Sequence, residues 1–244
     1  MKRPSPDLLE PLRRIARLVP GGMALGRRLR RLADPDLREI ERLRSQLGPN
    51  LLQPFPDTFE ERYPDLFDAL AQHLAHLPEP RVLSFGCSSG AEVRALRRRM
   101  PAARLVGVDP NRRAIALARK ADPAGDYRIL GAVPNGEGYD AILALAVLRH
   151  GQLEAERPAS ADPVFPFRRF AEALDRLDAE LDVGGLIAIG HAHFRFADWP
   201  GTARYEAMPD VFAHISTPGL LYGPDDRRID DPPPIAVLHR KLRD

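Results

Sequence analysis

The chain has 244 residues, 44% hydrophobic and 29% charged, with a formal net charge of +2. That length can bury a full core, and the ordinary hydrophobic content excludes wholesale disorder. A single cysteine excludes a disulfide scaffold and a cysteine-rich zinc site, and no metal site is expected. No run approaches the ~18 apolar residues of a membrane helix, and no apolar stretch follows the charged start Met1-Lys2-Arg3, so neither a span nor a secretory leader is expected. The expected setting is the cytoplasm.

Charge is unevenly distributed. Residues 1–44 hold 12 Lys and Arg against 6 Asp and Glu, whereas the remainder holds 24 against 28. A basic N-terminal segment therefore precedes a mildly acidic body, and peripheral contact of that segment with an anionic surface stays open. No RNA-binding signature or basic patch interleaved with aromatics is present, so nucleic acid is not an expected partner. The sequence leaves the oligomeric state undetermined.

In chain order, Leu8, Leu12, Ile15 and Val19 recur at helical spacing and Pro20-Gly21-Gly22 stops that helix. The cluster Arg27-Arg28-Leu29-Arg30-Arg31 follows. Asp34-Pro35-Asp36 reads as an N-cap with proline at the first helical position, opening a helix with Leu37, Ile40, Leu43 and Leu47 on one side. Gly48-Pro49-Asn50 and Pro54-Phe55-Pro56 mark a boundary, so residues 1–50 are expected to be a helical extension and 51–244 the main domain. A helix over about 64–77 ends before Pro78-Glu79-Pro80.

From residue 81 short apolar runs alternate with helical stretches. The expected strands are Arg81–Phe85, Arg104–Val108, Tyr127–Leu130, Tyr139–Leu145 and Leu186–Ile189, with a last one at Ile235–Leu238. Helices are expected through Val93, Leu96 and Met100, from Pro110 to about Ala121, and over 167–181. Such alternation predicts an α/β, doubly wound, mostly parallel sheet covered on both faces.

In such sheets ligands bind beyond the carboxyl ends of the strands. Two features gather there. Ser84-Phe85-Gly86-Cys87-Ser88-Ser89-Gly90 joins the first strand to its helix, with Gly86 allowing a tight turn and Gly90 a close ligand approach. Asp109 ends the second strand, where a carboxylate can accept both hydroxyls of a ribose. The spacing Gly86-x-x-x-Gly90 lacks the third glycine of a dinucleotide loop, and no phosphate-binding G-x-x-x-x-G-K-[ST] occurs. A nucleoside ligand without pyrophosphate is the surviving reading.

Residues 81–90 (RVLSFGCSSG), Gly107-Val108-Asp109, residues 139–150 (YDAILALAVLRH) and Leu181-Asp182-Val183-Gly184-Gly185-Leu186 resemble, in order, successive motifs of the class I S-adenosylmethionine-dependent methyltransferases. The resemblance covers about residues 65–195 and implies a Rossmann-like sheet of seven strands with S-adenosylmethionine as cofactor. It implies cofactor contacts from Ser84, Gly86, Cys87, Ser88 and Gly90 in the first loop, then from Asp109, Pro110 and Leu145. The end of the fourth strand would face substrate, with contacts from Arg149 and from His191 and His193 after the fifth strand. His191 and His193 would share a side if that strand ran through them. An alcohol or phenol acceptor also needs a base near neutral pH, and His150 is the expected one.

Two positions depart from the family pattern. Ser84 stands where the usual acid contacts the cofactor's amino group, and Leu130-Gly131-Ala132-Val133 carries no acid near the adenine. Asp231-Pro232-Pro233-Pro234 lacks the aromatic of an adenine methyltransferase motif and reads as a turn. The expected activity is methyl transfer to a small molecule, at oxygen. The variant Cys87-Ser88-Ser89-Gly90-x-Glu92 also resembles methyltransferases acting on chemoreceptor glutamates, so a protein-carboxyl methyltransferase is an alternative. A non-catalytic binding or scaffold protein on the same fold is the other.

Overall fold

The computed structural model describes residues 34–48, 51–53, 58–208, 215 and 219–244. The helix expected over 8–19, the arginine cluster at 27–31 and the Pro54-Phe55-Pro56 boundary lie outside the described residues.

A seven-stranded sheet runs in the order β3-β2-β1-β4-β5-β9-β6. Its parallel part is β1 (Arg81–Phe85), β2 (Arg104–Asp109), β3 (Asp126–Ile129), β4 (Tyr139–Leu145) and β5 (Leu181–Gly190). Strand β9 (Leu238–Lys241) lies antiparallel between β5 and β6 (Tyr205–Ala207). A separate two-stranded ribbon pairs β7 (Leu221–Tyr222) with β8 (Arg228–Ile229). The sheet is the mostly parallel, Rossmann-like one expected.

Helices cover both faces, which is why β4 is apolar almost throughout rather than alternating. On one face Phe67 of α2 (Pro64–Leu74), Leu96 of α3 (Ala91–Arg99) and Ile115 of α4 (Arg112–Ala121) are buried together. On the other, Leu153 of α5 (Gly151–Glu156) joins Phe170 and Leu174 of α6 (Phe167–Glu180). The first described helix, α1 (Pro35–Leu47), begins as its sequence dictates: Asp34 accepts from the Asp36 and Leu37 amides, and Pro35 opens the first turn. It packs beside α4, where Glu39 accepts from the Arg112 amide at 2.9 Å and Arg42 donates to the Pro110 carbonyl at 3.1 Å.

Several boundaries differ from expectation. The last strand lies at Leu238–Lys241, not 235–238, because pairing sets Leu238 against Ala188 and carries Lys241 into the interior. There the Lys241 ammonium donates to the Asp178 and Leu181 carbonyls, each at 3.0 Å, an arrangement invisible to hydrophobic patterning. Helix α2 stops at Leu74, α4 starts at Arg112 under an Asn111 cap, and β5 begins as early as Leu181. Helix α5, which nothing in the apolar pattern announced, follows β4 directly.

Candidate functional site

The sheet register aligns Phe85 with Val108 and Ser84 with Leu143, so the loops after β1, β2 and β4 open at one edge. An open cleft lies there, enclosing about 870 Å³ of space that includes open solvent. Its floor is Gly86, Cys87, Ser88 and Asp109, with Leu145, Ala146 and Val147 on one side and Leu130 and Gly131 on another. The wall opposite comes from before β1, as Leu47, Leu51, Leu52, Phe59, Arg62 and Tyr63. Among the described residues no helix is long and apolar enough to cross a membrane, and no three His, Cys, Asp or Glu side chains could together hold a metal.

Gly86 must be glycine for two reasons. Its φ is +78°, and a Cβ there would lie 2.3 Å from Val147 Cγ2. Left-handed geometry costs a side-chain-bearing residue about 1–2 kcal/mol and overpacking about 1–3 kcal/mol. Gly86→Ala is therefore expected to cost roughly 2–5 kcal/mol of stability. A melting curve within error of wild type would contradict that reading.

Gly90 has a packing role as well. It caps α3 at φ +76°, but a Cβ would meet the Tyr127 ring at 2.7 Å, and Gly90 does not line the cavity. The glycine allows close packing of the loop on β3.

Two carboxyl groups dominate the electrostatics. Asp109 Oδ2 accepts from the Ser88 amide at 2.9 Å and Oδ1 from the Asn111 amide at 2.8 Å, which ties the β1 loop to the end of β2. Burial nevertheless pushes its carboxyl up to about 6, against the lowering effect of those two bonds. The second is Glu92, on the first turn of α3. Ser84 Oγ donates to its Oε1 at 2.6 Å, and burial pushes this carboxyl up to about 7, countered by the Ser84 bond and by the Arg62 charge. A carboxyl group from the helix thus lies beside the end of β1, where Ser84 donates to it. Residue-by-residue reading of the strand end missed Glu92, although it closes the quoted run Cys87-Ser88-Ser89-Gly90-x-Glu92.

Of the other expected contacts, Cys87, Ser88, Pro110 and Leu145 line the cavity, and Ser84 stands behind Glu92. Cys87 is a buried thiol whose ionisation burial pushes far up, which suits a wall rather than a nucleophile. The four residues expected on the substrate side do not line this cavity. Arg149 pairs with Glu154 at 2.6 Å. His191 leaves β5 with φ +50° and lies 5.6 Å from the Tyr63 ring, so the strand does not run through it and His193 does not share its side. His193 is 1% exposed, with its ring nitrogens 3.3 Å from the Leu220 and His150 carbonyls.

His150 caps α5. Its Nδ1 accepts from the Gln152 amide at 3.2 Å, so the neutral ring carries its proton on Nε2 and that nitrogen cannot accept another. Burial, ahead of the Arg169, His193 and Arg44 charges, lowers its pKa. His150→Ala is expected to lose a helix cap worth about 1 kcal/mol while leaving cofactor affinity and turnover at wild-type levels. A collapse of turnover with intact affinity would restore the base role.

Residues 57–154 match the family model of a methyltransferase domain. That match covers less than half of the chain, from before α2 into α5. No curated protein matches the chain in sequence. Among solved structures, the chain is similar to the plantazolicin methyltransferase in complex with SAH, at 19% identity over 65% of this chain and 54% of that one, TM-score 0.41. It is also similar to SAM-bound amino pentose methyltransferase from Micromonospora echinaspora, at 19% identity, covering 56% and 53%, TM-score 0.40. A sugar N-methyltransferase from Streptoalloteichus sp ATCC 53650 gives 21% identity, 59% of each chain and TM-score 0.38. The chain thus spans little more than half the length of these structures.

Proposed function

We propose that this protein is an S-adenosylmethionine-dependent methyltransferase acting on an oxygen of a small molecule. The observation carrying the reading is the pair of carboxyl groups, Asp109 at the end of β2 and Glu92 on the first turn of α3, that line one cavity with the glycine-turned loop. Asp109 would hold the ribose hydroxyls and Glu92 the amino group of the methionine part, while Leu130 and Gly131 would bound the adenine. When bound, the cofactor supplies an electrophilic methyl group. Glu92 beside Ser84 favours this reading over a non-catalytic scaffold, since a fold kept only for binding partners has no need of a carboxyl group there.

The chain's own contribution is alignment and exclusion of water rather than proton transfer. Of the titratable groups lining the cavity, Tyr63 is pushed up to about 12 by burial and Cys87 further still. That leaves Asp109 and Glu92 near neutrality, and both are committed to the cofactor. An acceptor oxygen that is already nucleophilic, such as a carboxylate, therefore suits the site better than an alcohol.

Calorimetric titration of the full chain with S-adenosylmethionine and S-adenosylhomocysteine, with NAD as control, tests the reading. Micromolar binding of the first two alone is expected. Binding of neither would leave the fold and remove the activity.

A further inference from the structure

A second cavity adjoins the first, sharing Leu52, Phe85 and Gly131 with it. Its far wall is one stripe of α6: Arg169, Glu172, Ala173 and Arg176, at i, i+3, i+4 and i+7. Opposite stand Ala132 and Val133, in the loop after β3.

Arg169 is held in an unusual state. Its guanidinium lies 5.5 Å over the Phe165 ring and Nη1 donates to the Val164 carbonyl at 3.2 Å. Nη2 is closed off from solvent and has no hydrogen-bond partner. Neither Arg169 nor Arg176 forms an ion pair with a described residue, and Glu172, exposed on the same stripe, acts on Arg169 only through space. A partly desolvated guanidinium with an unmet N–H is costly unless an anion meets it. The helix adds to this: Arg168 and Arg169 stand in the first turn of α6, which contains no acid, so the positive end of the helix dipole and two cations coincide. His150, the cap of α5, feels the Arg169 charge.

We infer that the second cavity is an anion subsite, in which Arg169, with Arg176 at its rim, receives a carboxylate or phosphate group of the methyl acceptor. The inference rests on the methyltransferase reading above for the word acceptor, but not for the anion. Guanidinium geometry suits either planar carboxylate or phosphate oxygens by paired N–H donation. Glu172 sets a limit, disfavouring groups of high negative charge near the middle of the stripe.

The test uses the full chain saturated with S-adenosylhomocysteine, titrated with inorganic phosphate and separately with benzoate at constant ionic strength in chloride. Side-chain Nε–H resonances of arginine are followed by NMR. The expected result is a saturable shift of the Arg169 resonance with at least one probe, the responsive probe naming the anion. Arg169→Gln should weaken that binding by about tenfold or more, with S-adenosylhomocysteine affinity unchanged. Arg176→Gln, on an exposed position that folding does not need, should weaken it by less. No saturable shift with either probe, or equal binding by wild type and both variants, overturns the subsite. Anion binding without S-adenosylhomocysteine binding would instead remove the proposed activity and leave the subsite.

Discussion

Replacing Asp109 by alanine is expected to reduce affinity for S-adenosylhomocysteine by roughly 100-fold or more, from about 3 kcal/mol of lost charge-assisted hydrogen bonding. Two losses combine. The ribose hydroxyls lose their acceptor, and the Ser88 and Asn111 amides lose theirs, which loosens the loop that forms the cavity floor. Each amide left without a partner costs about 1–3 kcal/mol if no water replaces the carboxylate, so the variant should also melt earlier. Asp109→Asn separates the two effects, because it keeps one acceptor for an amide but presents a poorer one to the diol. Calorimetry alongside melting curves gives both numbers. Wild-type affinity in Asp109→Ala would sink the ribose assignment, whatever happened to stability.

Removing the charge at Glu92 should cost about 1.5–3 kcal/mol of cofactor binding, or roughly 10- to 100-fold in affinity. The more specific signature is in its pH dependence. In the free protein burial raises the Glu92 carboxyl to about 7, so below neutrality it is largely protonated. A cationic amino group binds the ionised form, so affinity should rise as pH climbs toward about 7 and level off above it, approaching tenfold per unit at the acid end. Binding near pH 6 should release a proton, seen as a dependence of the calorimetric heat on the buffer. Glu92→Gln should flatten the profile and lessen the proton release, leaving only the contribution of Asp109, raised to about 6. An unchanged profile in Glu92→Gln would show that the amino group is held elsewhere.

For the ligand-free protein the sign reverses. Both carboxyls have folded values above their unfolded ones, so the native state binds more protons between about pH 4 and 7. Stability contributed by the two protonated groups is fully present below that window and is lost as pH rises through it. Bound cofactor should oppose that loss. Melting temperatures measured with and without S-adenosylhomocysteine should therefore diverge as pH rises from 5 to 7.5.

Much of the architecture was legible in the chain itself. Apolar runs at Arg81–Phe85, Arg104–Asp109 and Tyr139–Leu145, separated by helical stretches, dictate a parallel sheet because both faces of such strands must be covered. Gly86 and Asp109 were legible for local reasons: a turn after a buried strand demands positive φ, and a carboxylate at a strand tip lies where ligands bind. Asp34-Pro35-Asp36 likewise specified the start of a helix. The tertiary structure alone decided which side chains meet across those elements. Glu92 sits eight residues beyond Ser84 on another element, and only folding brings their oxygens to 2.6 Å. Leu47, Leu51, Leu52, Phe59 and Tyr63 close the cavity from a direction that no local pattern encodes. The histidines failed as a motif because their chemistry depends on partners: a cap on Gln152 fixes the His150 proton, and a turn at His191 parts it from His193. Arg169, one arginine among many in the chain, became notable only once packing denied its Nη2 a partner. Periodicity and turn chemistry are local and survive in sequence; desolvation and long-range hydrogen bonding are created by the fold.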